Sequence, residues 1–90
     1  MTFLHYKVAT GTGDVIQAIL SGNAAYVRVM DDLNFQSYQA GRAYRYYGGY
    51  FTRSPARISV PAGSWNVVVD LAGAGGGTVN AAIGVLQAAL

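Results

Sequence analysis

The chain has 90 residues, enough for one domain with one hydrophobic core. Hydrophobic residues make up 52% of it and charged residues only 11%, a balance that excludes an intrinsically disordered chain. No apolar stretch approaches the roughly 18 residues of a membrane-spanning helix. The net charge of +2 is too small to indicate nucleic acid binding, and it leaves little repulsion between two copies. We therefore expect a single domain over residues 1–90 that binds a protein partner or itself, with no membrane or nucleic acid partner.

The compartment is indicated by cysteine usage and by the first residues. The chain contains no cysteine, which excludes disulfides, thiolate zinc sites and a cysteine nucleophile. The opening sequence MTFLHYK lacks the basic and apolar segments of a secretory signal peptide. We expect a cytoplasmic protein.

Alternation of apolar and polar residues predicts the first strands. Residues 4–8, 16–20 and 26–30 each have a period of two. Turn-forming residues separate them at 11–14 and at 21–23. Because the second break is so short, the second and third strands are predicted to form a β-hairpin.

The following segment does not alternate and predicts a short helix near residues 32–40. Asp31 or Asp32 is a suitable N-terminal cap, and Gly41 is suited to end the helix. We expect one or two helical turns that cross one end of the sheets.

The second half of the chain predicts further strands. Aromatic residues flank Gly48-Gly49, which predicts a hairpin closed by a primed two-residue turn. More strands are predicted over 57–60, 65–71 and 79–85, with Trp65 at the head of the core-facing side of its strand. The glycine-rich stretch 72–77 is predicted to be a loop.

These seven or eight short strands predict an all-β fold. They recur roughly every ten residues, which is typical of a β-sandwich or a small barrel. No connection is long enough for the crossover helix of a parallel sheet. We expect a single β-sandwich, or a small barrel, of mostly antiparallel strands.

Little in the sequence indicates catalysis or a cofactor. His5 is the only histidine, and its predicted place in a strand favours a surface residue over a catalytic one. Asp31, Asp32 and Asn34 resemble part of a calcium-binding loop, but the later glycine and glutamate are missing. Residues 73–77 lack the lysine and the following helix of a phosphate-binding loop. We expect no catalytic residue, no metal and no cofactor.

The most distinctive segment extends from Arg42 to Arg57. It contains four arginines and five aromatic residues and no acid. Arginine forks bind carboxylate and phosphate, and aromatic faces stack on bases and sugars. Alternatively, the tyrosines fill the edge of the core and the arginines pair with the aspartates. The candidate binding residues are Arg42, Tyr44, Arg45 and Tyr47, together with Asp31, Asp32 and Asn34 from the preceding turn.

Two stretches carry a resemblance to a known family. Residues 30–42 have the sequence MDDLNFQSYQAGR and are followed by YYGG, and residues 54–61 have the sequence SPARISVP and precede G-x-W-x-VVVDL. In this order they resemble the bacterial family known as domain of unknown function eighteen eighty-three. The resemblance implies a compact all-β domain. In some longer relatives the domain accompanies a TIR domain, which would suit sensing or recruitment. It implies no activity and no functional residues.

We therefore expect a non-enzymatic binding or interaction module. Its binding face would combine the 31–34 turn with the predicted hairpin after Arg42. The alternative is a receptor for a small ligand, either a sugar or a phosphate-bearing molecule, that is bound by the arginines and tyrosines.

Overall fold

The computed structural model describes residues 3–22, 24–70 and 79–87. Within them the chain forms seven strands and one helix. In chain order these are β1 (Leu4–Thr10), β2 (Val15–Gly22), β3 (Ala25–Met30), α1 (Asp32–Gln39), β4 (Tyr47–Phe51), β5 (Ala56–Ser59), β6 (Gly63–Asp70) and β7 (Val79–Leu86). The predicted glycine-rich loop at 72–77 lies outside the described residues.

The strands form two antiparallel sheets that pack face to face. One sheet has the order β1-β6-β3-β4 and the other has the order β5-β2-β7. The predicted all-β sandwich is therefore confirmed. No helix among the described residues is long and apolar enough to cross a membrane.

The core lies between the sheets and consists of every second side chain along the strands, those that point inward. Val27 and Val29 of β3 and Val67 and Val69 of β6 face Ile16 of β2 across it, and all five are essentially inaccessible to solvent. β-branched side chains of this size suit the narrow space between two pleated surfaces. The apolar residues of the alternating pattern in the sequence are therefore the residues that face the core.

The predicted β2–β3 hairpin is wrong. β2 pairs with β5 and β7, whereas β3 pairs with β4 and β6. The chain therefore passes from one sheet to the other near Gly22, which has a φ of 97°. The short connection is equally compatible with a sheet-to-sheet crossing, in which the apolar faces of β2 and β3 oppose each other across the core.

The predicted hairpin at Gly48-Gly49 is also wrong, because both glycines lie inside β4. Gly49 is opposite Val27 and Gly48 is opposite Arg28, and residues 42–46 are irregular rather than a strand. Gly48 has a φ of 103°, and a Cβ there would lie 2.2 Å from the carbonyl oxygen of Val27. Glycine is required at 48 by a close backbone approach between strands and not by a turn.

The helix α1 begins and ends as predicted, but it packs elsewhere. Asp31 is its N-cap and accepts a hydrogen bond from the backbone N–H of Asn34, and Gly41 has the left-handed φ of 74° that ends many helices. The helix does not cross an end of the sheets. It covers the outer face of the four-stranded sheet, where buried Tyr38 packs against Met30 and Val68 in a second apolar cluster.

A buried polar network holds α1 on that face. Nη1 of Arg28 on β3 donates to Oδ2 of Asp70 on β6 at 2.7 Å, and the Tyr38 hydroxyl of α1 donates to the same oxygen at 2.9 Å. The side chains of Arg28 and Asp70 are 10% and 2% exposed. Removing Arg28 or Asp70 would leave a buried charge without its partner, which is far more costly than breaking an exposed ion pair. The network therefore joins two strands and the helix as one unit.

Replacing Gly48 should destabilise the fold far more than replacing its neighbour. Gly48→Ala places a Cβ against the Val27 carbonyl at a positive φ, and such strain costs about 1–3 kcal/mol before the clash is counted. Gly49→Ala is the matched control, since nothing lies within 4 Å of its Cβ position. Urea titration of both variants gives the comparison. Equal stability of the two variants would contradict the close approach.

The Tyr38 hydroxyl should make stability fall at alkaline pH. Burial, and then the hydrogen bond to Asp70, raise the pKa of Tyr38 above its ordinary value of 10.0. The unfolded chain therefore loses this proton first. As the pH rises above 10.0, Tyr38 lowers the free energy of unfolding by up to about 1.4 kcal/mol per pH unit.

Tyr38→Phe removes this effect. At neutral pH the variant should be roughly 1.5–3 kcal/mol less stable than the wild type, the range for a hydrogen bond to a charged group. Urea titrations between neutral and strongly alkaline pH should show this difference shrinking as Tyr38 ionises in the unfolded wild type. A difference that stays constant would contradict the raised pKa.

Candidate functional site

A groove opens where β3 leads into α1. It has a volume of about 450 Å³, within the range typical of small-molecule sites. The ends of β3 and β6, the first turn of α1 and the segment entering β4 surround it. We call it the β3–α1 groove, and it is lined by Val29, Met30, Asp31, Asn34, Arg45, Tyr46, Tyr47 and Trp65.

The polar rim of the groove is held in place by its own hydrogen bonds. Oδ1 of Asp31 accepts from both the backbone N–H and the side-chain amide of Asn34, at 2.8 and 2.9 Å. The Asn34 side-chain oxygen accepts from the backbone N–H of Arg45 at 2.8 Å. The capping turn thus fixes the irregular segment that carries Arg45, so the rim is ordered before any ligand arrives.

The walls of the groove are aromatic. The rings of Tyr47 and Trp65 meet edge to face, with centroids 5.5 Å apart. The indole N–H of Trp65 donates to the Pro61 carbonyl at 3.0 Å and lies 3.1 Å from the Thr10 hydroxyl. Because its N–H is already bonded, Trp65 offers the groove an apolar ring surface.

The residues that line the groove include one of each charge, Arg45 and Asp31. Arg45 is exposed and forms no salt bridge within the described part of the chain. The Asp31 carboxylate uses Oδ1 for capping, and its Oδ2 has no hydrogen-bond partner among the described residues. The groove therefore contains a forked donor, Arg45, and an acceptor, Asp31.

Tyr46 connects the groove to the buried network. It contributes to the lining and is 42% exposed, and the Arg28 guanidinium lies 5.4 Å from its ring centroid. The same guanidinium lies 4.2 Å from the Tyr26 ring, and its buried Nε has no hydrogen-bond partner among the described residues. Cation–π contacts hold this desolvated cation in place. Because Arg28 contacts both Tyr46 and Asp70, it connects the groove wall to the buried network.

Asp32 belongs to a separate cluster. Its Oδ1 accepts hydrogen bonds from Lys7 and from the side-chain amide of Asn66, and those bonds, Lys7 first, lower the pKa of Asp32. The Asn66 oxygen pairs with Nε2 of His5 at 2.8 Å, and the His5 ring stacks on Phe35. This cluster anchors the helix to β1 and β6 and does not line the groove.

The structure brings together four of the seven predicted binding residues. Asp31, Asn34, Arg45 and Tyr47 line the groove. The other three do not: Asp32 joins Lys7, the Tyr44 ring packs on Tyr38, and Arg42 is exposed with its backbone N–H bonded to the Ser37 carbonyl.

The groove also contains residues that were absent from the predicted set. The sequence predicts a core position for Trp65, whereas in the structure it is half-buried, with one side packed on the core and the other on the groove. Met30 and Val29 form the floor because they lie where β3 ends. Of these residues, Tyr46 alone could have been predicted to line the groove, because it lies between the predicted binding residues Arg45 and Tyr47 in the sequence.

The arginine–aspartate pairing proposed as the structural alternative takes a different form. Asp70 does pair with an arginine, but with Arg28 of β3 rather than with one from the 42–57 segment. Asp31 caps the helix and Asp32 pairs with Lys7. Among the described residues, no cluster of three His, Cys, Asp or Glu side chains could hold a metal ion.

Comparison with known proteins identifies the family. Residues 1–88 match the family described as "Domain of unknown function (DUF1883)". The chain belongs to this family. The suspected resemblance is thereby confirmed over nearly all of the sequence. No curated protein matches the chain, and no solved structure does so either.

Two substitutions distinguish the capping hydrogen bonds of Asp31 from its negative charge. Asp31→Ala removes both oxygen contacts to Asn34 and should cost about 0.5–2 kcal/mol, whereas asparagine caps helices as well as aspartate does. Asp31→Asn should therefore stay within about 0.5 kcal/mol of the wild type. Thermal and urea unfolding of the two variants provide the measurement. An Asp31→Asn variant as unstable as Asp31→Ala would contradict a cap formed by Oδ1 alone.

Proposed function

We propose that this domain is a non-enzymatic binding module and that the β3–α1 groove is its binding site. The observation that carries the proposal is the combination in one groove of three aromatic rings with an ordered polar rim. Binding sites for small molecules typically combine apolar walls with a few fixed polar groups. The residues of the groove match that description.

The rim favours a neutral ligand with several hydroxyl groups, that is, a sugar. Its acceptor, Asp31, would repel a phosphate or carboxylate, while its donor, Arg45, would attract one. A hydroxyl group both donates and accepts, so it satisfies Asp31 and Arg45 at once. The C–H faces of a sugar ring can pack on Tyr47 and Trp65. Of the two ligand classes expected for a receptor, the structure therefore favours the uncharged one.

A binding role is preferred over catalysis because of what lines the groove. The titratable lining groups are Asp31, Arg45 and two tyrosines, and the Asp31 carboxylate is committed in part to the helix cap. General acid–base chemistry needs a side chain, most often histidine, positioned to exchange a proton with the reacting group. His5 is engaged elsewhere, with Asn66. We place this binding module in the cytoplasm, as the absence of cysteine favours.

The protein contains a built-in reporter for this proposal. Trp65 is the only tryptophan of the chain and lies in the groove. Titration with glucose, maltose and N-acetylglucosamine should change its fluorescence, whereas glucose 6-phosphate and inorganic phosphate should bind more weakly than the neutral sugars. Arg45→Ala should raise Kd about tenfold or more, as expected for the loss of a charged hydrogen bond.

Arg42→Ala is the matched control for Arg45→Ala. It removes the same charge from the same segment but lies outside the groove, so Kd should not change. Both variants should keep the stability of the wild type to within about 1 kcal/mol, because neither arginine is in a salt bridge among the described residues.

Two different outcomes would contradict two different parts of the proposal. Tighter binding of glucose 6-phosphate than of glucose would reject the neutral-ligand assignment while keeping the site. No fluorescence response to any of these compounds, combined with no chemical-shift change at Asn34 or Arg45 in an NMR titration, would reject the groove as a sugar-binding site.

A further inference from the structure

Among the described residues the sandwich has four outermost strands, and three of them carry features that oppose pairing with another chain. β1 presents Lys7, and β5 has four residues, contains Arg57 and lies between Pro55 and Pro61. β4 has five residues and is distorted at Gly48. Charges, prolines, short length and irregular backbone are the usual means by which proteins block exposed sheet edges.

β7 carries none of these features. It has the sequence VNAAIGVL, with no charge and no proline, and all eight residues are in register with β2. Its outward-facing residues include Ala82 and Gly84, which are both small. A regular, uncharged edge strand of this length is a template for adding another strand.

Large apolar side chains are exposed at two places on the outer face beside β7, on either side of Gln17. Ile19 of β2 is 52% exposed and Leu86 of β7 is 40% exposed, and they flank Ala82 and Val15 on the same face. The outer face of the other sheet is covered by α1. Within the described residues no helix covers this one.

We propose that β7 pairs antiparallel with β7 of a second copy of this chain. The two three-stranded sheets would then form one continuous six-stranded sheet about a two-fold axis. Such an interface is self-complementary, since each side chain meets the same set of side chains from the other copy. β7 meets this condition because it has no charge that would face its own copy, whereas Lys7 would approach its own copy in a β1–β1 pair.

One contact at this edge comes from the facing sheet. The Tyr6 hydroxyl of β1 donates to the carbonyl oxygen of Ala81 at 3.1 Å. A carbonyl oxygen has two acceptor positions, so Ala81 retains the capacity to pair with a strand. The contact fixes the position of β7 relative to β1 and thereby keeps the edge regular.

The pairing geometry places Ala82 near the centre of the interface. Residues that oppose each other across an antiparallel pair lie on the same face of the sheet. In the two central registers, Ala82 therefore lies opposite either Ala82 or Gly84 of the second copy. Both pairs are small, and both would be disturbed by a charged side chain.

Ala82→Lys tests the interface directly. Its control is Ser59→Lys, which adds the same charge to an exposed residue of the same sheet but on β5, at the opposite edge. Sedimentation velocity from micromolar to millimolar protein should show a monomer–dimer equilibrium for the wild type and for Ser59→Lys. Ala82→Lys should be monomeric throughout. At the lowest concentrations, where the wild type is monomeric as well, the two proteins should unfold at the same temperature, whereas only the wild-type temperature should rise with protein concentration.

Cross-linking identifies the strand that is used. The chain has no cysteine, so Ala82→Cys carries a single thiol, and a short bismaleimide should link two copies through it rapidly. Ser59→Cys should link only slowly. Wild-type protein that stays monomeric at millimolar concentration, a dimer that persists in Ala82→Lys, or equal cross-linking of the two cysteine variants would each overturn the proposal.

Discussion

The buried ion pair between Arg28 and Asp70 is the interaction on which the rest of this structure depends. It lies outside the valine-rich core, on the outer face of the four-stranded sheet. Its desolvation is tolerated because Tyr38 donates to the same carboxylate and aromatic rings face the guanidinium. The helix is therefore attached to the sheet by hydrogen bonds to a fixed charge as well as by apolar packing.

The groove is a consequence of that attachment. With α1 fixed by Tyr38, its first turn places Asp31 and Asn34 beside the end of β3, and Asn34 in turn holds the backbone of Arg45. On the other side Tyr46 lies against Arg28. The rim and one wall of the proposed sugar site are thus positioned by the same buried pair. The described part of the chain has one short helix, and it obtains an ordered polar rim in this way without a disulfide.

Local pattern predicted much of this fold, and pairing between distant strands decided the rest. The alternation at Val27 and Val29 correctly indicated a core strand, and Asp31 correctly indicated the helix cap. The sequence could not predict the sheet to which β3 belongs, because a short connection between β2 and β3 is equally compatible with a hairpin and with a crossing between sheets. Gly48 suggested a turn for a similar reason: glycine marks both positive φ and close backbone approach, and only the neighbouring strand distinguishes them. Arg28 gave no signal, since its partner is 42 residues away.

The central claim is that the groove is an ordered site attached to the sheet through Tyr38 and Asp70. Amide hydrogen exchange at Arg45 tests this most directly, because that N–H donates to the Asn34 side chain and to no other described residue. The account predicts that the Arg45 amide is protected in the wild type. It also predicts that Tyr38→Phe accelerates the exchange of Arg45 and of the α1 amides by the same factor. The exchange of the β2 amides should change only by the factor that corresponds to the loss of global stability. An Arg45 amide that exchanges at the rate of a free loop in the wild type would contradict it.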